Sequence, residues 1–208
     1  MEKSRSFFAL ACLLAVVLAG CGQTGVRETV ESTTISVDRN GGMIYYLTGE
    51  FDRDYYSLSE LSAMTAAEVE EFNRDTGEEG AVAVEKVETL KEDESRILIV
   101  WRFDGYKSFN EFNEKFNKKF GSFFYGTVEE AFQQGYIKDA LLKSTKDDSV
   151  KTEEQLKQEG TKKLIVTEGK AVIYCPAGVT YLSPGAVLNE DGSVDASAAD
   201  GTVYILMK

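Results

Sequence analysis

The stretch of sequence that decides the fold is Ser95-Arg96-Ile97-Leu98-Ile99-Val100-Trp101-Arg102-Phe103. Successive side chains of an extended strand point to opposite faces of the sheet. One face therefore carries Ile97, Ile99, Trp101 and Phe103, and the other carries Leu98 and Val100. Apolar residues on both faces predict a central strand that is covered on both sides.

The residues before this stretch predict three more strands and a long helix. A strand over 81–90 leads into the central strand through the polar turn Lys91-Glu92-Asp93-Glu94. Residues 34–38 and 43–47 form a hairpin around Asn40-Gly41-Gly42, where glycine permits the positive φ of a tight turn. Ser57 and Glu60 have the spacing of a capping box, so a helix begins there and ends before Gly77. The buried stripe predicted for this helix is Leu58, Leu61, Thr65, Val69 and Phe72.

Three further capping pairs predict three shorter helices that end near Gly121, Gly135 and Gly160. The pairs are Ser108 with Glu111, Thr127 with Glu130, and Thr152 with Gln155.

The first of these helices would carry an aromatic stripe made of Phe109, Phe112, Phe116 and Phe120. A membrane-dipping or partner-binding face would also fit such a stripe. The opposite face, however, has Glu111–Lys115 and Glu114–Lys118 at the i,i+4 spacing of an ordinary surface helix. Burial of four phenylalanines stabilises a domain by roughly 6–12 kcal/mol, so the stripe is predicted to be core.

The last part of the chain, 163–208, is rich in short β-type runs separated by glycine and proline. The runs are 164–167, 171–175, 179–182 and 202–207, and they predict a β-meander that extends the first sheet or forms a small second one. The fold class is therefore α+β, with a mainly antiparallel sheet, short helices packed on it and a β-rich C-terminal meander. Residues 34–208 are interpreted as one module with a possible subdivision near 139–160, because the stretch 139–151 is polar.

The N-terminus has the pattern of an export signal. Lys3 and Arg5 are followed by twelve apolar residues over 7–18, and Leu18-Ala19-Gly20-Cys21 closes the segment. Twelve is fewer than the ~20 apolar residues of a membrane-spanning helix. Residues 1–20 are therefore predicted to be a signal peptide cleaved between Gly20 and Cys21, and 21–33 to be a tether.

The tetrad ending in Cys21 resembles the lipobox of bacterial lipoproteins. This resemblance implies that Cys21 receives a diacylglycerol thioether and becomes the new N-terminus. Fatty acyl chains such as palmitate then hold the protein in the lipid bilayer, and two chains together give a stable anchor. The resemblance implies an exported protein on the extracytoplasmic face of the cell membrane.

Several longer stretches resemble small lipoproteins of Gram-positive anaerobes. They are Phe51-Asp52-Arg53-Asp54-Tyr55-Tyr56, Phe124-Tyr125-Gly126-Thr127-Val128-Glu129-Glu130-Ala131, Gly135-Tyr136 and the ending Tyr204-Ile205-Leu206-Met207-Lys208. The likeness implies the location and one compact module, and it implies no reaction.

Composition argues against several classes of function. The 208 residues carry a net charge of −12 and include no histidine. An acidic surface repels phosphate backbones, so no nucleic-acid partner is expected. Without histidine there is no Ser–His or Cys–His nucleophile pair and no histidine ligand for zinc. Cys175 would be the one ordinary thiol of the processed chain, and it shares a strand face with Ala171 and Ile173, so it is predicted to be core.

One loop has residues suited to a ligand. Asp52, Asp54, Tyr55 and Tyr56 combine carboxylates with aromatic rings, as sugar and cation sites do. The competing interpretation is a loop whose tyrosines pack beneath the helix while the aspartates face water. The acidic run 189–195 does not have EF-hand spacing and is interpreted as a hairpin turn at Asp191-Gly192. No catalytic, cofactor-binding or metal-binding residue is assigned.

The function that fits these observations best is a membrane-anchored binding or interaction module for an extracellular or envelope partner, in preference to an enzyme. Two alternatives stay open. A carboxylate-based hydrolase of envelope glycans could use a pair such as Asp52 and Asp54. The solute receptor of a transporter is the other, although the chain is short for two lobes that close around a ligand.

Overall fold

The computed structural model describes residues 30–116 and 118–208. The predicted signal peptide, its cleavage site, the lipidation residue Cys21 and most of the tether lie outside the described residues. Within the described residues, no helix is long and apolar enough to cross a bilayer.

Four helices and thirteen strands occur in the described part of the chain. In chain order they are β1 (Thr34–Val37), β2 (Met43–Glu50), α1 (Leu58–Thr76), β3 (Val82–Leu90), β4 (Asp93–Phe103), α2 (Tyr106–Lys115), β5 (Phe123–Thr127), α3 (Val128–Gln133), β6 (Leu141–Ser144), β7 (Val150–Thr152), α4 (Glu153–Lys157), β8 (Lys163–Thr167), β9 (Val172–Tyr174), β10 (Val179–Leu182), β11 (Val187–Leu188), β12 (Val194–Asp195) and β13 (Val203–Met207).

The strands form two sheets. Sheet A has the order β11-β12-β9-β1-β2-β4-β3, and sheet B has the order β5-β8-β13-β10-β6-β7. Neighbouring strands are antiparallel except β1 and β9, which are parallel. The predicted α+β class with a mainly antiparallel sheet and a β-rich C-terminal region is confirmed.

Strand β4 occupies the interior position predicted for it. It is bonded to β2 on one side and to β3 on the other. Ile97, Ile99, Trp101 and Phe103 join the main core, whereas Leu98 and Val100 belong to a smaller cluster on the opposite face with Val30, Ile44 and Tyr46. The predicted four-residue turn before β4 is wrong, because Leu90 pairs directly with Asp93. The Asp93 carboxylate accepts the backbone N–H of Ser95, so this acidic residue fits inside the strand.

The predicted first hairpin is confirmed in its strands and in its turn. β1 and β2 pair antiparallel, with Val37 opposite Met43. Gly41 has a φ of 96°, which favours glycine. The Asp38 carboxylate accepts backbone N–H groups of Asn40 and Gly42 and thereby fixes the turn.

Helix α1 begins and ends where the sequence predicts. The Ser57 hydroxyl accepts the N–H of Glu60, and Gly77 takes the left-handed conformation at the C-terminus. Thr65, Val69 and Phe72 are buried as predicted. Leu58 is 38 % exposed, so its assignment to the buried stripe is wrong. It occupies the first turn of the helix, directly after an exposed loop.

Helix α2 differs from its prediction at both ends. It begins at Tyr106 with Gly105 as N-cap, and the Ser108 hydroxyl donates to Asp104 instead of capping the helix. It ends at Lys115, so Phe116 and Phe120 lie beyond it. The four phenylalanines nevertheless pack into the main core, as predicted.

The two predicted i,i+4 ion pairs on α2 are wrong. Lys115 forms ion pairs with Asp75 and Glu71, and Lys118 forms one with Glu68, all on α1. These contacts join the two helices across the surface of the core, which a pattern along a single helix could not predict.

The capping boxes at Thr127–Glu130 and Thr152–Gln155 are both present and begin α3 and α4.

The short strands after them alternate between the sheets: β8, β10 and β13 join sheet B, while β9, β11 and β12 join sheet A. The polar stretch near 139–160 contains the hairpin β6–β7 of sheet B. Strands from both sides of this stretch occur in both sheets.

Three apolar clusters fill the fold. The main core includes side chains from both sheets together with α1 and α2. A second cluster packs α3 and α4 on the other face of sheet B, through residues such as Phe124, Leu164, Leu206, Ala131 and Leu156. Helix α2 and strand β8 both contribute side chains to the main core.

Candidate functional site

The loop predicted to bind a ligand is on the surface between β2 and α1. Tyr55 is 77 % exposed and Tyr56 is 43 % exposed, so the tyrosines do not pack beneath the helix. Tyr56 stacks on Phe51 with ring centroids 5.2 Å apart, and Asp52 lies 3.6 Å from Arg53. Asp54 is also exposed. None of Asp52, Asp54, Tyr55 and Tyr56 lines either of the two cavities described below, and their ligand role stays a prediction.

Cys175 packs against the main core, as its strand parity predicts. Burial raises the pKa of its thiol to about 12, so the group is a neutral thiol at physiological pH. A neutral buried thiol is a poor nucleophile, and a packing role fits it.

The acidic run 189–195 is the hairpin turn between β11 and β12, as predicted. Gly192 has a φ of 83°, and the Asp191 carboxylate accepts the N–H and hydroxyl of Ser193. Across the described residues, no group of three or more acidic or cysteine side chains could hold a metal ion.

The most informative cavity lies on the core side of sheet A, beside the C-terminal half of α2. We call it the Trp101 cavity. Its volume is about 530 Å³. Its apolar wall consists of Tyr45, Leu47, Trp101, Phe112 and Phe120, and its polar lining consists of Thr33, Asn113, Lys118, Lys119, Glu168 and Lys170.

The aromatic wall is a connected set of rings. Tyr45 and Trp101 are stacked with centroids 5.7 Å apart, and the edge of Phe120 meets Tyr45 at 5.4 Å. Phe112 lies 6.3 Å from Trp101. These separations are typical of favourable aromatic pairs. The rings of this wall therefore hold one another in place.

One donor in this wall has no partner. Trp101 is 2 % exposed, and no residue that the structure describes accepts a hydrogen bond from its Nε1–H. A buried polar group left without a partner costs about 1–3 kcal/mol. Almost all buried donors in proteins are paired, so this one is an exception. The nitrogen itself is fully buried, so the cost belongs to the packing of the aromatic core.

A second polar group of the wall is the Tyr45 hydroxyl. Burial raises the pKa of Tyr45 well above its usual value, so the phenol stays protonated at all physiological pH values. The aromatic wall is therefore uncharged, and the charges of the cavity lie among its other lining residues.

Three lysines and one carboxylate line the polar side of the cavity. Lys118 forms an ion pair with Glu68 at 2.7 Å, and Glu168 accepts hydrogen bonds from Ser122. Lys119 and Lys170 are exposed, and neither forms an ion pair with any described residue. The excess of lysine is local, since the whole chain has 35 acidic against 23 basic residues.

Two glycines position Phe120. The Gly169 Cα lies so close to the Phe120 ring that a Cβ at this position would overlap it. Gly121 has a φ of 94°, and a Cβ there would lie 3.1 Å from the Glu168 Cβ. The connection after α2 can therefore lie directly on the β8–β9 loop, and Phe120 becomes part of the cavity wall.

The second cavity, which we call the polar cleft, lies at the other end of α2 and has a volume of about 610 Å³. Its lining includes Arg39, Asp104, Lys107, Tyr125, Glu130 and Lys163. Here polar groups satisfy one another. The Tyr125 hydroxyl donates to the Arg39 carbonyl at 3.4 Å, and the Lys163 ammonium lies 5.4 Å from the Tyr125 ring centroid.

The carboxyl of Glu130 in this cleft is part of the capping box of α3. The backbone N–H of Thr127 donates to it and holds its pKa below the usual value. A general acid near neutral pH needs a raised pKa, so Glu130 does not suit that role.

The sequence placed Trp101 and Phe112 in the core but did not predict the cavity between them. Its lining runs from Thr33 to Lys170, and no local pattern connects residues so distant. The available signals were the single tryptophan of the chain and the adjacent Lys118-Lys119 after an aromatic stripe.

Comparison with known proteins adds no assignment to this geometry. No family model, no curated protein and no solved structure matches the chain at a significant level.

Proposed function

We propose that this chain is an exported lipoprotein, anchored through Cys21, whose α+β body binds a small organic ligand at the membrane surface. The location rests on the lipobox-like Leu18-Ala19-Gly20-Cys21 and the apolar segment before it. The binding role rests on the Trp101 cavity. The two parts are independent and have separate tests.

The observation that carries the binding role is the Trp101 cavity itself, which is lined by the partly buried Leu47 and Phe120 and by lysine side chains. The cavity volume of about 530 Å³ lies within the ~300–1,000 Å³ range of small-molecule sites. Such sites combine apolar walls with a few polar groups that fix the orientation of the ligand. Leu47 and Phe120, which are only partly buried, supply the apolar walls, and Lys118, Lys119 and Lys170 supply polar groups.

The lining of this cavity favours binding over hydrolysis. A carboxylate-based glycoside hydrolase uses two carboxyl groups that flank the bond to be broken. Glu168 is the single carboxylate among the cavity residues, and it accepts hydrogen bonds from Ser122.

The anchor is tested by metabolic labelling with a palmitate analogue and by membrane fractionation. We expect label in the wild type and in Cys175→Ala, and none in Cys21→Ala. Retention of the label in Cys21→Ala would show that the anchor is elsewhere.

The binding role is tested by native mass spectrometry of protein released from its own membranes. We expect a small noncovalent adduct that is lost when Leu47→Trp fills the cavity. Lys107→Trp, in the polar cleft, is the matched control and should keep the adduct. A wild-type protein without adduct, or a Leu47→Trp variant that keeps it, would contradict the binding role.

A further inference from the structure

The described chain begins at the end of sheet A that carries the loop between β2 and α1. The backbone carbonyl of Glu31 accepts a hydrogen bond from the Arg96 guanidinium at 2.8 Å. Arg96 on β4 pairs with Glu50, the last residue of β2. Phe51 continues this pairing, because its N–H donates to the Ser95 carbonyl at 2.6 Å. The first described residues and the β2–α1 loop therefore lie at the same end of the sheet.

The β2–α1 loop exposes a connected set of aromatic rings. Tyr55 and Tyr56 are 77 % and 43 % exposed, and their ring centroids lie 5.0 Å apart. Tyr56 also stacks on Phe51, which packs against the main core. The N–H of Tyr56 donates to the Arg53 carbonyl at 2.9 Å. Leu58, directly after the loop, adds an exposed aliphatic side chain. The rings are therefore fixed to the core on one side and open to the surroundings on the other.

The length of chain between the proposed anchor and the first described residue sets which end of the protein faces the bilayer. Val30 follows Cys21 by nine positions. Nine residues reach about 32 Å when fully extended. A folded domain of this size is about 40 Å across. Because the link is shorter than the domain, the end of sheet A that carries Val30 is held next to the bilayer.

The side chains at this end suit a bilayer surface. Tyrosine is enriched at membrane–water interfaces, where its ring lies at the level of the headgroups and its hydroxyl meets water. Charge does not supply an attraction, because Asp52 and Asp54 outnumber Arg53 in the loop and the whole chain has a net charge of −12. The contact must therefore come from the rings.

We propose that the β2–α1 loop rests on the bilayer, with Tyr55 and Tyr56 inserted among the headgroups. This proposal rests on the anchor at Cys21 proposed above and adds a second contact between the protein and the membrane. A single attachment leaves the body free to turn about it, whereas two attachments fix its orientation. The β1–β2 turn, at the other end of the strands, then faces away from the bilayer.

The test compares the two ends of sheet A. The full-length processed protein with Cys175→Ala is labelled with nitrobenzoxadiazole at one introduced cysteine, which is Asp54→Cys for the loop label or Asn40→Cys for the turn label. Both positions are exposed. Each protein is reconstituted in phosphatidylcholine vesicles, with or without phosphatidylcholine that carries a nitroxide near the headgroup end of one acyl chain. We expect the nitroxide to quench the loop label about 3-fold more strongly than the turn label, because tyrosines hold the loop at the interface.

Two double variants of exposed residues test the role of the tyrosines. Tyr55→Ser with Tyr56→Ser should lower the quenching of the loop label to that of the turn label. Val187→Ser with Leu188→Ser is the matched control on the edge strand β11, where the two side chains are 57 % and 38 % exposed. This control should leave the quenching of the loop label unchanged. Circular dichroism checks that both double variants keep the fold.

The contrary outcomes are distinct. Equal quenching of the two labels, in protein that carries the palmitate analogue at Cys21, would overturn the loop contact and leave the anchor in place. A loop label that stays quenched without the tyrosines, or that loses as much quenching in the β11 control, would overturn the role of the rings. Absence of the palmitate analogue from the same protein would instead overturn the anchor.

Discussion

The Trp101 cavity and the polar cleft use the same two elements but differ in how their polar groups are paired. Helix α2 lines the cleft with its N-terminal half and the cavity with its C-terminal half. Strand β8 begins at Lys163 in the cleft and is followed by Glu168 and Lys170 in the cavity.

In the cleft, hydroxyl and carboxyl groups such as those of Tyr125 and Glu130 bond to the protein itself. In the cavity, a fully buried indole donor has no partner among the described residues. Paired polar groups stabilise the fold, whereas an unpaired buried donor costs about 1–3 kcal/mol. The cleft is the larger of the two, so volume does not separate them in the cavity's favour.

The largest expected effect is that of Trp101→Ala. Removal of this buried side chain leaves a void beside Tyr45 and Phe112, and such truncations lower the free energy of unfolding by about 3–5 kcal/mol. Urea denaturation followed by circular dichroism measures the loss. In the cleft, Tyr125→Phe removes one 3.4 Å hydrogen bond and should lower it by about 1 kcal/mol or less. Similar losses in the two variants would show that the Trp101 side chain and the polar cleft contribute equally to stability.

Gly169→Ala should have the next largest effect. The new Cβ overlaps the Phe120 ring, and overpacking of this kind costs about 1–3 kcal/mol. Displacement of Phe120 should also change the emission of Trp101 through their shared neighbour Tyr45. Gly178→Ala is the control, because its Cβ meets only the flexible end of Lys208, and it should stay within about 0.5 kcal/mol of the wild type. An unchanged Gly169→Ala protein would show that Phe120 is free to move.

The fold could be predicted from the sequence wherever the signal was local. The alternation around Trp101 predicted β4 and both of its buried faces, and the Thr127 and Thr152 capping boxes predicted the starts of two helices. Local signals failed where a distant partner decided the structure. Lys115 and Lys118 pair with α1 instead of with their own helix. The C-terminal strands alternate between the sheets, because β9 pairs with β1 from the other end of the chain.

The candidate site was predictable only in its parts. Trp101 and Phe112 were assigned to the core, which is where they lie. The cavity beside them could not be predicted, because it depends on how residues distant in the sequence pack together. Phe120 was placed on a helix that ends at Lys115. Its actual position depends on contact with Gly169, a residue that the pattern of the aromatic stripe does not include.

Trp101→Phe separates the packing of Trp101 from its unpaired donor. The variant keeps an aromatic ring and removes the buried N–H that has no partner, so the gain from losing that group offsets part of the void that the smaller ring leaves. We expect a loss of stability below about 1.5 kcal/mol, measured by urea denaturation. If stability falls as far as in Trp101→Ala, the unpaired donor costs nothing in the folded state and the contrast with the cleft fails.

The smallest effect concerns the cleft and is a dependence on pH. Because the folded pKa of Glu130 is lowered, mainly by the Thr127 N–H, its ionised form stabilises the folded state. That contribution is complete above the unfolded pKa of 4.5 and is lost as pH falls through the folded pKa. Glu130→Gln should therefore lower the Tm near neutral pH, and its difference from the wild type should shrink in acid. The capping box of α4 supplies the control, since Gln155 does not titrate and Gln155→Ala should lower the Tm equally at all pH values. A Glu130→Gln difference that stays constant down to pH 3 would show that the carboxylate charge contributes nothing to the cleft.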